Sequence, residues 1–186
     1  MLDCFMHYKS LKKYYFIKSL DTKNIKKQDK ETIIIYRNYT SSKIDINGIL
    51  RLKNFLKKRG NKFLLANNIR LALKLGLDGV YIPSFNKELK HLSFSFHPSF
   101  IIIGSAHNLK EIRIKELQKV QSIFISSLFK KNENYLGLYK FKKISNYTKN
   151  NIVALGGLSE KNLKKLNLIK ITHFAGISFF EQKKGP

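Results

Sequence analysis

A chain of 186 residues, 43% apolar and 12% aromatic, is long enough for one domain with a sizeable core and excludes both a disordered polymer and two ordinary domains. No apolar run approaches the roughly 20 residues that cross a bilayer, so a soluble protein with no membrane partner is expected. The net charge of +24 suits nucleic acid in sign, but 31 of the 36 basic residues are Lys, scattered as KK pairs without an RNP-type or helix-turn-helix pattern, so no specific nucleic-acid partner is expected.

The opening segment MLDCFMHYKSLKKYYFIKS lacks the continuous apolar core and small-residue cleavage site of a secretory signal, which points to the cytoplasm. The single cysteine, Cys4, has no second thiol to pair with and stands at no metal-ligand spacing, so a buried or frayed thiol is expected. Short runs rich in Ile, Val and Phe then recur at near-regular intervals: 14–19, 32–39, 62–67, 79–84, 100–107, 122–129, 151–157 and 174–180. Several are apolar on successive residues, as parallel strands covered on both faces are.

Helical spacing lies between most of these runs. In 46–59, Ile49, Leu52, Phe55 and Leu56 share one face, and Gly60 stands at the stop position. In 108–120, Asn108 can cap while Glu111 reaches back, with Ile112 and Leu117 on the inner side. Ser159 precedes EKNLKKLNL, where Leu163 and Leu166 are three apart. The 12 residues between the first two strands hold at most a turn or two of helix, 85–99 reads as loop with a short helix, and nothing after Phe180 is long enough for an eighth helix. Eight strands alternating with helices, and no GxGxxG or Walker loop after the first, predict a single-domain α/β fold over 1–186: a small, partly trimmed (β/α)8 TIM barrel in preference to an open doubly wound sheet.

In such a barrel, function sits where strands end. The polar residues delivered there are Arg37, Asn67, Ser84, Ser105, His107, Ser126, Ser127 and the pair Gly156–Gly157. The glycines, ahead of a segment capped by Ser159, either present backbone N–H groups to an anion or form a tight turn. Arg37 either clamps a phosphate from the rim or makes a surface salt bridge. His107 is either a general acid/base or a structural hydrogen-bonding residue. His7, His91, His97 and His173 show no metal spacing, and the few scattered carboxylates form no catalytic pair.

The strand-end pieces IIYRNY, FLLANNIRLALKLGLDGVYIPS, GSAHNLKEI, SIFISSLF, IVALGG and FAGISFF, in this order, resemble the thiamine phosphate synthase family and its TenI-type thiazole tautomerase branch over about 13–180. Most telling is the N-x-x-x-L-A-L-x-x-G-x-D-G-V unit, followed by GSAH and then the glycine pair. The resemblance implies a barrel in thiamine biosynthesis that joins a pyrimidine methyl diphosphate to a thiazole phosphate. Its substrates would be those phosphorylated precursors, with Mg²⁺ as the cofactor if synthase activity is retained. It assigns Arg37 to the diphosphate, Ser105 to the GxSxH loop, and Gly156 and Gly157 to the thiazole phosphate. Asn67, Ser84, Ser126 and Lys130 fall among the substrate-binding positions, and Lys131 adds charge to the same loop.

There are departures as well. The family's Mg²⁺-holding aspartates fall at Asn67 and Asn86, so no metal ligand is assigned. The lysine two after the arginine falls at Tyr39, and the Thr/Lys segment after strand six is KKNEN over 130–134. An alternative within the resemblance is the tautomerase, which needs no metal, uses a histidine at the His107 position for proton transfer, and shares the IPS ending of strand four. A further alternative is a barrel that binds a phosphorylated metabolite without turnover. A homodimer is compatible with the sequence.

Overall fold

Eight parallel strands stand in sequence order and the last pairs back to the first, closing a barrel. The structure is a computed structural model and describes residues 11–39 and 44–181. The strands are β1 Lys12–Ile17, β2 Ile33–Tyr36, β3 Phe63–Ala66, β4 Gly79–Ile82, β5 Ile101–Ala106, β6 Ser122–Ile125, β7 Asn151–Leu155 and β8 His173–Gly176. Closure is made by β1 beside β8, with Tyr14 opposite Ala175 and Tyr15 opposite Gly176. All eight expected strands form, and the barrel is the small one the spacing implied. The strands end earlier than the apolar runs do: Ile177 to Phe180 turn into the short helix α6, Ser178–Glu181, instead of extending β8. Cys4 and His7 lie outside the described residues.

Alternate side chains of each strand point into the bore. Phe16, Tyr81 and Phe124 meet there edge to face, with ring centroids 5.0 Å apart for Phe16–Tyr81, 5.6 Å for Tyr81–Phe124 and 5.8 Å for Phe16–Phe124. That geometry sets the positive ring edge against the negative face. Tyr14 stands 4.9 Å from Phe124, and burial pushes its phenol up to about 12, so it stays neutral while bonded to Ser122. The other face of each strand packs under the helices, where Ile34, Ile49, Leu52, Leu56 and Phe63 belong to the larger core cluster.

The helices expected at 46–59, 108–120 and after Ser159 all form, the second ending at Leu117 and the third passing after Leu163 into a 3-10 turn, Lys164–Ile169. Helix α1, Ile46–Arg59, begins at Asp45, whose Oδ1 accepts from Gly48 N at 2.8 Å, and ends at Gly60 in the left-handed region, φ 79°. Helix α2, Ile69–Lys74, is capped by Asn68, which accepts from Leu71 N. In α3, Leu109–Leu117, Asn108 accepts from Glu111 N at 3.0 Å, and Glu111 reaches back to accept from His107 N at 2.7 Å. Helix α4 spans Gly137–Ser145, and α5, Glu160–Leu163, opens on a capping box of Ser159 and Asn162. The connections 18–32 and 83–100 hold single 3-10 turns at Ile25–Lys27 and Lys90–Ser93. Among the described residues no helix is long and apolar enough to cross a membrane.

One expectation about α3 fails. Leu117, read as facing inward, is 62% exposed, and Lys115 is buried instead at 0%. The stem of Lys115 crosses β5 at Gly104, where an added Cβ would lie 2.7 Å from Lys115 Cδ. Its ammonium donates to Pro83 O at 2.8 Å, Asn86 O at 2.9 Å and Gln118 Oε1 at 2.8 Å. Three acceptors within reach of one ammonium outweigh the ordinary preference for leucine on the inner face. The helix is turned accordingly.

Two measurements follow from this packing. Phe124→Ala removes the shared partner of three other rings in the bore and is expected to cost about 3–5 kcal/mol in denaturant unfolding. Desolvation pulls the Lys115 ammonium down from its ordinary 10.5 to about 8, with Glu111 acting in the opposite sense. The unfolded chain keeps this proton up to about pH 10.5, where the folded chain has already lost it, so the unfolded state binds more protons in that window. Stability contributed by this group is therefore present above about 10.5 and lost as pH falls through about 8. In paired thermal melts, the Tm of wild type relative to Lys115→Met is expected to rise between pH 8 and pH 10; a flat difference would refute the shift.

Candidate functional site at the C-terminal mouth

Period-two alternation carries the bore pattern past the strand ends, where apolar side chains give way to polar ones. After Ile33 and Ile35 on β2 the next inward position is Arg37, whose backbone N–H extends the ladder to Ile17 O at 2.9 Å. The guanidinium carbon lies 4.8 Å from the Phe16 ring centroid, a cation–π seat on the aromatic floor of the mouth. Arg37 and Ser105 both stand at the Tyr81 hydroxyl. Burial raises the Tyr81 pKa, with Ser105 and Arg37 opposing the shift. No ion pair to Arg37 is found among the described residues.

Ser105 itself is buried at 4%, inside β5, and His107 follows two residues later. The register of β5 on β6 pairs Ala106 with Ile125, which brings His107 beside Ser126. His107 Nδ1 lies 3.0 Å from Ser126 O and 3.1 Å from Ser126 Oγ. A carbonyl can only accept, so Nδ1 is the nitrogen that donates here, and Nε2 is the one left to face the mouth.

The loop after β6 and the turn after β7 are built against each other. Gly156 and Gly157 take φ of 102° and 73°. A Cβ on Gly156 would meet Ser127 Oγ, and one on Gly157 would lie 2.5 Å from Lys130 N. Phe129 N and Lys130 N donate to Gly156 O at 2.8 and 3.2 Å, and Ser127 Oγ donates to Lys130 O at 2.8 Å. Both the conformation and the close approach require glycine here. The Lys130 and Lys131 side chains are exposed.

Asn67 sits just past β3 with φ 58°, and its Oδ1 accepts from Asn86 Nδ2 at 2.7 Å. The two positions that the resemblance assigns to metal-holding aspartates are thus a mutually bonded pair of neutral amides. Among the described residues no group of three His, Cys, Asp or Glu side chains comes together as a metal site. Ser84 is half-buried on the turn after β4, and among the described residues it makes no hydrogen bond to another candidate. Tyr39 lies on the rim, its ring 5.6 Å from that of Phe85. The other three described histidines each have a local partner: His91 Nε2 meets Gln118 O at 2.9 Å, His97 Nδ1 meets Ser99 Oγ, and His173 Nδ1 meets Thr172 Oγ1.

The structure therefore brings Arg37 and Ser105 to Tyr81, and links His107 to Ser126, Asn67 to Asn86, and the glycine pair to the β6 loop. Tyr81 was missed in the sequence, although its inward register on β4, between Arg37 and Ser105, is recoverable from alternation alone.

The family model for thiamine monophosphate synthase matches residues 21–180. The thiamine-phosphate synthase of Methanococcus vannielii is 25% identical over 120 residues, covering 62% of this chain and 58% of that protein. That of a Hydrogenobaculum species is 26% identical, covering 70% of this chain and 63% of its relative. The match therefore spans about three fifths of the length of each of these two relatives. Among solved structures, thiamine phosphate pyrophosphorylase from Pyrococcus furiosus superposes with a TM-score of 0.72 at 21% identity, covering 92% of this chain and 87% of that one, a likeness of fold. With the family model matching most of its length, this chain belongs to the thiamine monophosphate synthase family.

Proposed function

We propose that this chain is a cytoplasmic enzyme that binds phosphorylated thiamine precursors at the barrel mouth and joins the pyrimidine methyl diphosphate to the thiazole phosphate. The observation that carries this reading is Arg37, seated over Phe16 and beside Tyr81 at the same end of the barrel as the Gly156–Gly157 turn. In the proposed reaction the bond from the pyrimidine methylene to the diphosphate oxygen breaks, and its electron pair leaves with pyrophosphate. The thiazole nitrogen then captures the carbocation with its lone pair. A guanidinium fixed in place stabilises the charge that develops on the departing oxygen, and needs no reorganisation as the bond breaks. Ser105, beside Tyr81, adds a hydroxyl at the same corner. The glycine turn lets backbone approach the thiazole phosphate closely, and Lys130 adds positive charge beside it.

Magnesium is implied by the family resemblance, but the donor set does not fit it. Asn67 and Asn86 are neutral amides joined by one hydrogen bond, and neutral amides are poor ligands for a hard dication. No step here runs through a metal. The same pair, with His107 Nδ1 anchored on Ser126 and Nε2 left basic, supports a second reading, proton transfer on a thiazole carboxylate phosphate in the manner of the tautomerase branch.

Purified protein is expected to yield thiamine phosphate from the two precursors, and Arg37→Ala is expected to slow that reaction about 100-fold. Gly157→Ala places a Cβ against backbone at Lys130 and is expected to abolish thiazole phosphate binding in calorimetry. If the thiazole carboxylate phosphate is aromatised instead, and His107→Ala stops it while Arg37→Ala spares it, the second reading replaces the first. Binding of both precursors with no turnover, with or without Mg²⁺, would leave a non-catalytic binder.

A further inference from the structure

The loop that carries Asn86 to the rim is fastened from outside the barrel. Lys115 on α3 is fully buried, and each proton of its ammonium has an oxygen within 2.9 Å: Pro83 O, Asn86 O and Gln118 Oε1. Gln118, also fully buried, donates from Nε2 to Asn86 O and Glu88 O at 3.0 Å each, and its own carbonyl meets His91 Nε2. Every backbone acceptor of these two side chains lies in the loop 83–88. Asn86, held by its carbonyl at this end, donates from its side chain to Asn67 Oδ1 at the other. A continuous polar chain thus runs from the back of α3 to the β3 rim.

Filling space does not account for a lysine here. Burying an ammonium costs free energy that an apolar side chain of the same length does not, and the neighbouring Leu117 is left exposed while Lys115 goes in. Gly104 on β5 gives up its side chain to let the lysine stem pass. What the arrangement gains is a fixed position for two carbonyls of an otherwise irregular loop, and with them the direction of the Asn86 amide.

We propose that Lys115 is a positioning residue for the mouth: through the Pro83 and Asn86 carbonyls it holds the loop 83–88 so that Asn86 bridges to Asn67, and the mouth binds phosphorylated ligands in that arrangement. The proposal rests on reading the mouth as a ligand site. A side chain that sets the loop from behind touches no ligand, so its loss misplaces groups at the rim without removing any of them.

The test uses the full chain, with inorganic pyrophosphate as the probe in calorimetry and backbone amide exchange as a second readout. Lys115→Met keeps the stem and removes the ammonium. It is expected to weaken pyrophosphate binding about tenfold, since small displacements at a site have effects of that order, and to speed exchange in 84–89 while β5 and β7 stay protected. Lys115→Ala combined with Gly104→Ala refills the space left by the stem. This double variant is expected to regain thermal stability relative to Lys115→Ala alone while its affinity stays low and the loop stays fast. Recovery of affinity and loop protection along with stability would reduce Lys115 to packing and overturn the proposal, as would unchanged exchange in Lys115→Met. If wild type binds no pyrophosphate, the reading of the mouth fails, and the exchange measurement still decides whether Lys115 holds the loop.

Discussion

Closure of the ring between β1 and β8 is the constraint on which the rest of this molecule depends. Once eight parallel strands close, alternate side chains of every strand must fill a bore of fixed width, and the positions just beyond each strand must converge on one end. The bore is filled by rings: Phe16, Tyr81 and Phe124 pack edge to face. This leaves a firm aromatic floor beneath the mouth. Arg37 takes its seat from that floor, and Tyr81 is both part of the floor and the hydroxyl that stands between Arg37 and Ser105. Packing and the polar site therefore share side chains, and a change in the bore is felt at the mouth.

Much of this could be read in the chain of letters, because it rests on periodicity. The strands declare themselves as apolar runs, and the caps Asp45, Asn68, Asn108 and Ser159 stand where backbone N–H groups need an acceptor. The inward parity of Arg37, Ser105, His107, Ser126 and Gly157 follows from counting by twos. The limits were just as physical. Strand ends were overrun at Ile177 because an apolar run continues after the chain has left the sheet, and apolarity reports burial more directly than it reports backbone direction.

The misplaced face of α3 is the more instructive failure. Pattern reasoning set Leu117 inward because leucine prefers burial, and it had no way to know that carbonyls of a distant loop would be waiting for Lys115. One signal did exist. A glycine inside an apolar strand, Gly104 in IIIGSAH, commonly marks close approach by another group, and here that group is the lysine stem. Reading that glycine as a vacancy to be filled, and asking which residue of the next helix reaches it, would have pointed to position 115.

Charge also has to be sorted by what holds it. Most of the 36 basic residues are lysines on the exterior, where salt of physiological strength screens each beyond about 8 Å and a flexible stem spreads its charge over a wide volume. Such a surface attracts any polyanion and distinguishes none. Arg37 differs because its guanidinium sits over the Phe16 ring and beside Tyr81, at the mouth and not on the open exterior. Lys115 differs again, since its charge is spent entirely on carbonyls inside the fold. In the proposed role, recognition of a phosphorylated ligand then falls to one immobilised arginine and a backbone turn that tolerates no Cβ, with the net charge of the surface contributing to encounter and little to selection.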